Sequence, residues 1–359
     1  MTRPARARIN LRALQHNFSR VQQAAPQSNI MAIIKANAYG HGLVRTAQAL
    51  PAAAAFGVAC LDEAISLREA GCDRRIVLLE GPFTAEDIGL IHGYRLDVVL
   101  HHDSQLALLE QGRLLRPLDV WVKLDTGMHR LGFEPDSIAA VTARLRSIRQ
   151  IRDINYMSHF CCADDLDNAA TDRQLRLFLE AAPPANGAAQ TLANSAAILG
   201  WPDTHRDWVR PGIMLYGGSP LSGHTAQSLD LQPVMTLGTR LIAVNARRQG
   251  DAIGYGEDWI CPVDMRIGVA AIGYGDGYPR HAPSGAPVRV NGKPATLAGR
   301  VSKDMICIDL SEHPDARVGD EVILWGEGLP VDEVATAAGT ISYELLCGVG
   351  SRVRFEYHG

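Results

Sequence analysis

Lys35 ends an apolar run, AIIK, and is followed by small residues and then by Tyr39-Gly40-His41-Gly42. An amine that is desolvated or crowded by other cations falls in pKa until its lone pair attacks a carbonyl, so the chemistry this position suits is imine formation. Two further stretches suit a phosphate: Asn194-Ser195, and Arg210-Pro211-Gly212-Ile213. A serine hydroxyl and the exposed N–H groups around a glycine together grip a dianion. Cys60, Glu80, His101, Lys123 with Asp125, and His159 also stand just beyond apolar runs. Each alone is what any solvated strand end shows, because loops are polar; the set outlines a site.

The elements that must position these residues repeat one unit over the first two-thirds of the chain. A short apolar run rich in β-branched residues is followed by a longer stretch with helical spacing. The spacing predicts eight strands, at 30–34, 55–59, 76–79, 96–100, 118–124, 154–157, 191–193 and 208–215. Eight βα repeats fit a TIM-like (β/α)8 barrel better than an open doubly wound sheet. Such barrels carry their chemistry at the carboxyl ends of the strands, and often hold phosphate after strands seven and eight. The clearest helix is DEAISLREA at 62–70, with Asp62 as its cap and Gly71 to end it. Beyond residue 230 the pattern turns to alternating segments, TLGTRLIAV, MRIGVAAIGYG, PVRVNGKPATLAGRVSKDMICIDL and DEVILWG, which predict a mostly β-strand second domain. Asn291-Gly292 between alternating arms predicts a type I′ hairpin. The expected domains are 1–231 and 232–359, with helical stretches at 331–338 and 343–346 packing back on the second.

Composition narrows the function. The 359 residues exceed what one core usually serves, and 35 basic against 39 acidic side chains give a formal charge of -4. With no Lys/Arg cluster there is no footprint for nucleic acid, so a small ligand is expected. Seven cysteines, odd in number and without a CxxC pair, argue against a disulfide framework and a cysteine zinc site. Twelve histidines include His101-His102 but no HxH or HExxH arrangement, so no metal is expected. The N-terminus lacks the apolar core of a secretory signal, and charges and prolines interrupt every apolar run before the roughly 20 residues of a membrane helix. The expected setting is soluble and cytoplasmic.

Taken together, AIIKANAYGHG, VKLDTGMHRLGF, MSHF, LANSAA, VRPGIMLYG, IGYGEDW, GYGDGYPRHAP and ISYELLC resemble the alanine racemase family over nearly the whole chain. The resemblance implies a barrel that binds pyridoxal 5'-phosphate, a β-strand second domain, and a homodimer whose chains pair head to tail to complete each active site. It makes Lys35 the lysine that carries the cofactor as an imine and one of two acid/base catalysts. Tyr255 is the other, reaching the partner chain's cofactor from the opposite face. Racemisation needs both, since a proton leaves one face and another returns to the other. A phenol with a pKa of about 10 needs a neighbour to work as a base at neutral pH. His159 matches the residue linking tyrosine and arginine, and Arg210 the arginine facing the pyridine nitrogen. A permanently charged arginine there leaves the ring a weaker electron sink than a carboxylate does, which suppresses transamination. Tyr39, Asn194, Ser195, Gly212, Ile213 and Tyr343 match cofactor-contacting positions. Arg130 matches the arginine near the cofactor's phenolic oxygen and the substrate carboxylate, and Lys123 a lysine that is carbamylated in this family.

One position departs from the pattern: GRVSKDM has Lys303 where the family usually has methionine. The backbone there is expected to approach the substrate carboxylate from the partner chain, with Asp304 beside it as a neutralising charge. A lysine adds charge and length, so substrate range is the property at stake. The expected reaction is interconversion of L- and D-alanine, for peptidoglycan or for alanine catabolism. The alternatives are a racemase of another or a broader set of amino acids, and a barrel decarboxylase, which needs a carboxylate opposite the pyridine nitrogen. A non-catalytic cofactor carrier has no use for Tyr255, and a metal-dependent hydrolase lacks its ligands.

Overall fold

The computed structural model describes residues 3–112, 116–182 and 187–359. Its first strand, β1 (Arg6–Asn10), precedes the barrel and is not part of it. The eight strands expected for a barrel then close in sequence order: β2 (Asn29–Ile33), β3 (Ala55–Val58), β4 (Arg75–Leu78), β5 (Asp97–Leu100), β6 (Leu118–Lys123), β7 (Ile151–Met157), β8 (Gln190–Thr191) and β9 (Trp208–Val209). All pair in parallel, and β9 returns to β2 through Ile30 and Val209. Parallel strands covered by helices must be apolar on both faces, which is why AFGV in β3 and the first five residues of β6 are buried throughout.

Three local expectations are corrected. The last strand spans two residues rather than 208–215, because Pro211 has no N–H to donate and the chain turns into a 3-10 segment, Ile213–Tyr216. The helix after β3 is Leu61–Glu69, with Cys60 at its N-cap; Asp62 and Glu63 sit in the first turn, where they favour the helix dipole. Gly71, at φ +85°, does end it. The helix Ser342–Cys347 does not pack only on the second domain but also on the barrel turn after β2. A Cβ at Gly40 would lie 2.2 Å from the Leu346 carbonyl oxygen, so only glycine allows that approach.

The remaining strands, antiparallel except where β18 runs parallel to β1, are β10 (Met235–Arg247), β11 (Ala252–Ile253), β12 (Trp259–Ile260), β13 (Met265–Ala270), β14 (Pro287–Val290), β15 (Lys293–Leu297), β16 (Ile306–Asp309), β17 (Glu321–Trp325) and β18 (Arg354–His358). The main sheet runs β13-β16-β15-β14-β17-β10-β1-β18, with β11 and β12 forming a separate ribbon. The chain's first strand is thus held between β10 and β18, with Ile9 opposite Met235 and Tyr357. Asn291 (φ +49°) and Gly292 (φ +76°) link β14 to β15, both left-handed as a type I′ turn requires. One buried cluster runs continuously from the barrel into this sheet. At the amino ends of the barrel strands, Arg75 lies over the edge-to-face Trp121 and Trp208 rings and pairs with Asp97 and Asp119.

Candidate active site

Lys35 leaves the end of β2 into a turn of the wrong hand. Ala36, Asn37, Ala38 and Tyr39 have φ of +54°, +52°, +55° and +50°, a conformation that costs an L-residue roughly 1–2 kcal/mol each. Side chains hold it there. Asn37 N–H donates to Glu63 Oε1 (3.1 Å), Ala59 N–H to Glu63 Oε2 (2.9 Å), and Leu43 N–H to Asn37 Oδ1 (2.9 Å). The turn sets both Lys35 and Tyr39 on the wall of one cavity of about 560 Å³ at the carboxyl ends of the strands.

At one end the cavity offers open donors of the kind that suit a dianion. Asn194 Oδ1 caps the helix Ser195–Gly200 by accepting from Ala197 N–H (3.0 Å), which fixes Ser195; Ser195 Oγ accepts from Gly212 N–H (2.8 Å). The Ser195, Ala196 and Ile213 amides donate to no acceptor among the described residues. A Cβ on Gly212 would stand 2.6 Å from Tyr39 Oη, so this cradle stays open only with glycine. The Tyr39 and Tyr343 rings are 5.9 Å apart, and burial pushes both phenols up, Tyr343 to about 12, so both keep their protons as donors.

At the other end Arg210 is buried and pinned. Its guanidinium donates to Thr191 Oγ1 (2.8 Å) and to the Ser158 and Leu192 carbonyls (2.6 and 3.1 Å). Nη2 also meets His159 Nδ1 at 3.4 Å. Burial lowers Arg210 only to about 10, so it stays charged and His159 Nδ1 must accept. Burial, Arg210, Lys123, Arg130 and Lys35 hold His159 well below its ordinary value, hence neutral with its proton on Nε2. Lys123, at the end of β6, is pushed down to about 8 by burial and by Arg210, Arg130 and Lys35. Arg130 reaches the same cavity from a loop whose bend is set by Asp125, which accepts from the Gly127 and His129 amides (3.0 Å each).

The structure therefore brings together Lys35, Tyr39, Lys123, Arg130, His159, Asn194, Ser195, Arg210, Gly212, Ile213 and Tyr343. Cys60, His101 and Asp125, named as strand ends, do not line it, and three residues that the resemblance implied also lie elsewhere on this chain. Tyr255 is 69% exposed on a second-domain turn. Lys303 is exposed, with its carbonyl accepting from Gly275 N–H (2.9 Å). Asp304 accepts from Arg352 (2.5 Å), whose guanidinium offers a directed fork, and Lys303 acts on it as a further nearby charge. Glu63 and Gln174, which brace the site from helices, carry no sequence signal that separates them from ordinary helix residues.

A closed βα barrel whose strand ends hold one cation-rich cavity, joined to an antiparallel sheet, defines a two-domain barrel protein built for an anionic ligand. Comparison with known proteins narrows this. The profile for "Alanine racemase, N-terminal domain" matches residues 9–220, and that for "Alanine racemase, C-terminal domain" residues 234–357. An alanine racemase of Thioalkalivibrio sulfidiphilus is 54% identical over 364 residues, covering 100% of both chains. One from Nitrosococcus oceani is 53% identical over 346 residues, 96% of this chain and 97% of its own. The crystal structure of biosynthetic alanine racemase from Pseudomonas aeruginosa superposes with a TM-score of 0.97 at 48% identity, covering 100% of each chain. The chain belongs to the alanine racemase family.

Proposed function

We propose that this protein interconverts L-alanine and D-alanine on pyridoxal 5'-phosphate, with Lys35 holding the cofactor. The observation that carries the reading is a lysine amine at a strand end and a glycine-lined dianion cradle sharing one cavity. The donors fit that cofactor: open amides at Ser195 and Ile213 with the Tyr39 and Tyr343 hydroxyls for a phosphate, and a fixed guanidinium at Arg210 for a ring nitrogen. When bound, pyridoxal phosphate supplies the electron-withdrawing ring that makes an amino acid's α-proton acidic. Lys35 Nζ moves a proton on one face of the substrate. Tyr255 Oη moves one on the other, from a second copy of the chain. Arg210, charged and unable to surrender a proton at neutral pH, would offer the ring nitrogen a hydrogen bond without protonating it. Neutral His159 relays between Arg210 and the tyrosine. Arg130 takes the substrate carboxylate with the backbone of Lys303 and Asp304 from the second copy, and a carbamate on Lys123 relieves the like charge around it.

The reading divides the chain into a barrel unit, 1–231, whose first strand β1 nonetheless joins the other unit's sheet, and a β-rich domain, 232–359, that serves the partner. Exposed apolar side chains support head-to-tail pairing: Tyr255, Ile260, Tyr274 and Met305 on the second domain, and Leu131, Ile341 and Tyr343 at the barrel mouth. Both patches need covering. A cytoplasmic setting, where thiols stay reduced, suits the seven free cysteines. There the product D-alanine serves peptidoglycan or alanine is consumed. No helix among the described residues is long and apolar enough to cross a membrane.

The test is chiral chromatography of L-alanine incubated with protein and pyridoxal phosphate, beside Lys35→Ala. D-alanine should form with wild type and be absent with the variant. Alanine that stays wholly L while the protein binds cofactor would overturn the substrate and direct the search to other amino acids and to amine products.

A further inference from the structure

The loop leaving β7 carries two adjacent thiols, Cys161 and Cys162, directly after His159 and Phe160. In an extended segment neighbouring side chains point to opposite faces, yet these sulfurs stand 3.4 Å apart because the loop bends here. Gln174, buried in the helix Ala170–Ala181, makes the bend. Its Oε1 accepts from Cys161 N–H (3.0 Å) and from the Cys161 thiol (3.2 Å). Its Nε2 donates to the His159 carbonyl (3.0 Å) and to Thr126 Oγ1 (3.2 Å). Thr126 continues to Ser158 Oγ (2.7 Å), and the Ser158 carbonyl holds Arg210. The same glutamine thus grips Cys161, one member of the thiol pair, and the strand end that carries the basic cavity. Cys161 is exposed and opens on a second cavity of about 490 Å³, lined on its far side by Ser222 and His224.

We propose that Cys161 and Cys162 form a vicinal dithiol site for trivalent arsenicals, and that filling it loosens Gln174 and through it His159 and Arg210. An organic arsenoxide reacts with both thiols at once. Two As–S bonds form, the As=O bond is lost, and the two thiol protons leave with that oxygen as water. Arsenic stays trivalent, so no oxidant or reductant is consumed. The second sulfur, held beside the first, makes the closure intramolecular and the adduct long-lived. Once Cys161 Sγ is bonded to arsenic it has no proton for Gln174, and the ring that closes through both side chains pulls the Cys161 amide from the same acceptor. Binding stands on the thiol geometry alone; the effect on rate rests on the racemase reading.

Phenylarsine oxide, stoichiometric with the cofactor-loaded protein, tests both parts, with peptide mapping by mass spectrometry and the racemisation rate read on the same sample. One phenylarsenic group should bridge Cys161 and Cys162. The rate should fall about tenfold, as expected for a lost buried hydrogen bond, and return on adding 2,3-dimercaptopropanol. Cys161→Ser, whose hydroxyl still donates to Gln174, and Cys162→Ser should each keep their untreated rate, take no stable group and resist the reagent. Arsenic mapped to any other cysteine, or a wild type that takes none, overturns the site. Bridging at the pair with an unchanged rate overturns the coupling. A protein that labels as expected but never racemises alanine leaves the dithiol site standing and sinks the functional reading instead.

Discussion

Four cations converge on one cavity: Lys35, Lys123, Arg130 and Arg210. Their mutual repulsion is a standing cost that anions relieve, which fits a ligand carrying a phosphate together with a substrate carboxylate. Lys123 shows the strain most directly, since burial and its three cationic neighbours bring it to about 8. Its amine is therefore protonated at pH 7 and mostly free at pH 9, and only the free amine attacks carbon dioxide. At constant dissolved ¹³C-labelled carbon dioxide, the carbamate signal in NMR should rise through about pH 8 and be missing in Lys123→Arg. A spectrum empty at every pH would leave Lys123 an ordinary amine and remove the carbamate from the mechanism. Lys35, Arg210 and the Asn194-Ser195 and Gly212-Ile213 stretches were legible as a set, because each falls just beyond an apolar run, and their roles were legible only through the family resemblance. Glu63 and Gln174 were not, because a carboxylate in a first helical turn and an amide on a polar face are ordinary until the partner backbone is seen.

At the scale of elements, the left-handed turn after β2 is the costliest piece of the site, and Glu63 is what offsets it. Each Glu63 oxygen accepts one amide, from Asn37 and from Ala59, so the carboxylate ties the turn to the end of β3. Glu63→Gln turns one acceptor into a donor facing an N–H, a mismatch of about 1–3 kcal/mol. The variant should fold, melt several degrees lower and lose more in kcat than in KM, because Lys35 is misaimed while other residues still hold the substrate. Adding Ala36→Gly, which removes the left-handed penalty at φ +54°, should recover part of both losses. Equal loss in thermal stability with unchanged kcat would make Glu63 a structural brace only. Alternating and continuous apolar runs revealed the barrel and the second sheet from sequence, and the Asn-Gly pair revealed its hairpin. They did not reveal β1, whose partners in β10 and β18 lie more than 200 residues away, nor the left-handed turn, for which Ala-Asn-Ala carries no glycine signal.

At the scale of the molecule, stability and chemistry occupy opposite ends of the barrel. At the amino end burial pushes Asp97 up to about 6 despite its pairing with Arg75. The folded protein thus keeps that proton to higher pH than the unfolded chain does. The group contributes most below the ordinary carboxylate value and its contribution is lost as pH rises through 6, by ~3 kcal/mol at most. Asp97→Asn should therefore gain in melting temperature relative to wild type between pH 4 and pH 7, without a change in the pH profile of the rate; a constant difference would remove Asp97 from the titration. The chemical end is completed by another copy if Tyr255, exposed on its own chain, serves the partner. That arrangement has a consequence no single-chain site shares. Homodimers of Lys35→Ala and of Tyr255→Phe each lack one of the two bases at every site. Mixed dimers made by unfolding and refolding the two together hold one site with both defects and one with neither. Half the dimers in a random mixture are mixed, so activity should return to about a quarter of wild type. If Tyr255 served its own chain's Lys35, every site in the mixture would still lack a base, and the refolded sample would stay as inactive as its parents.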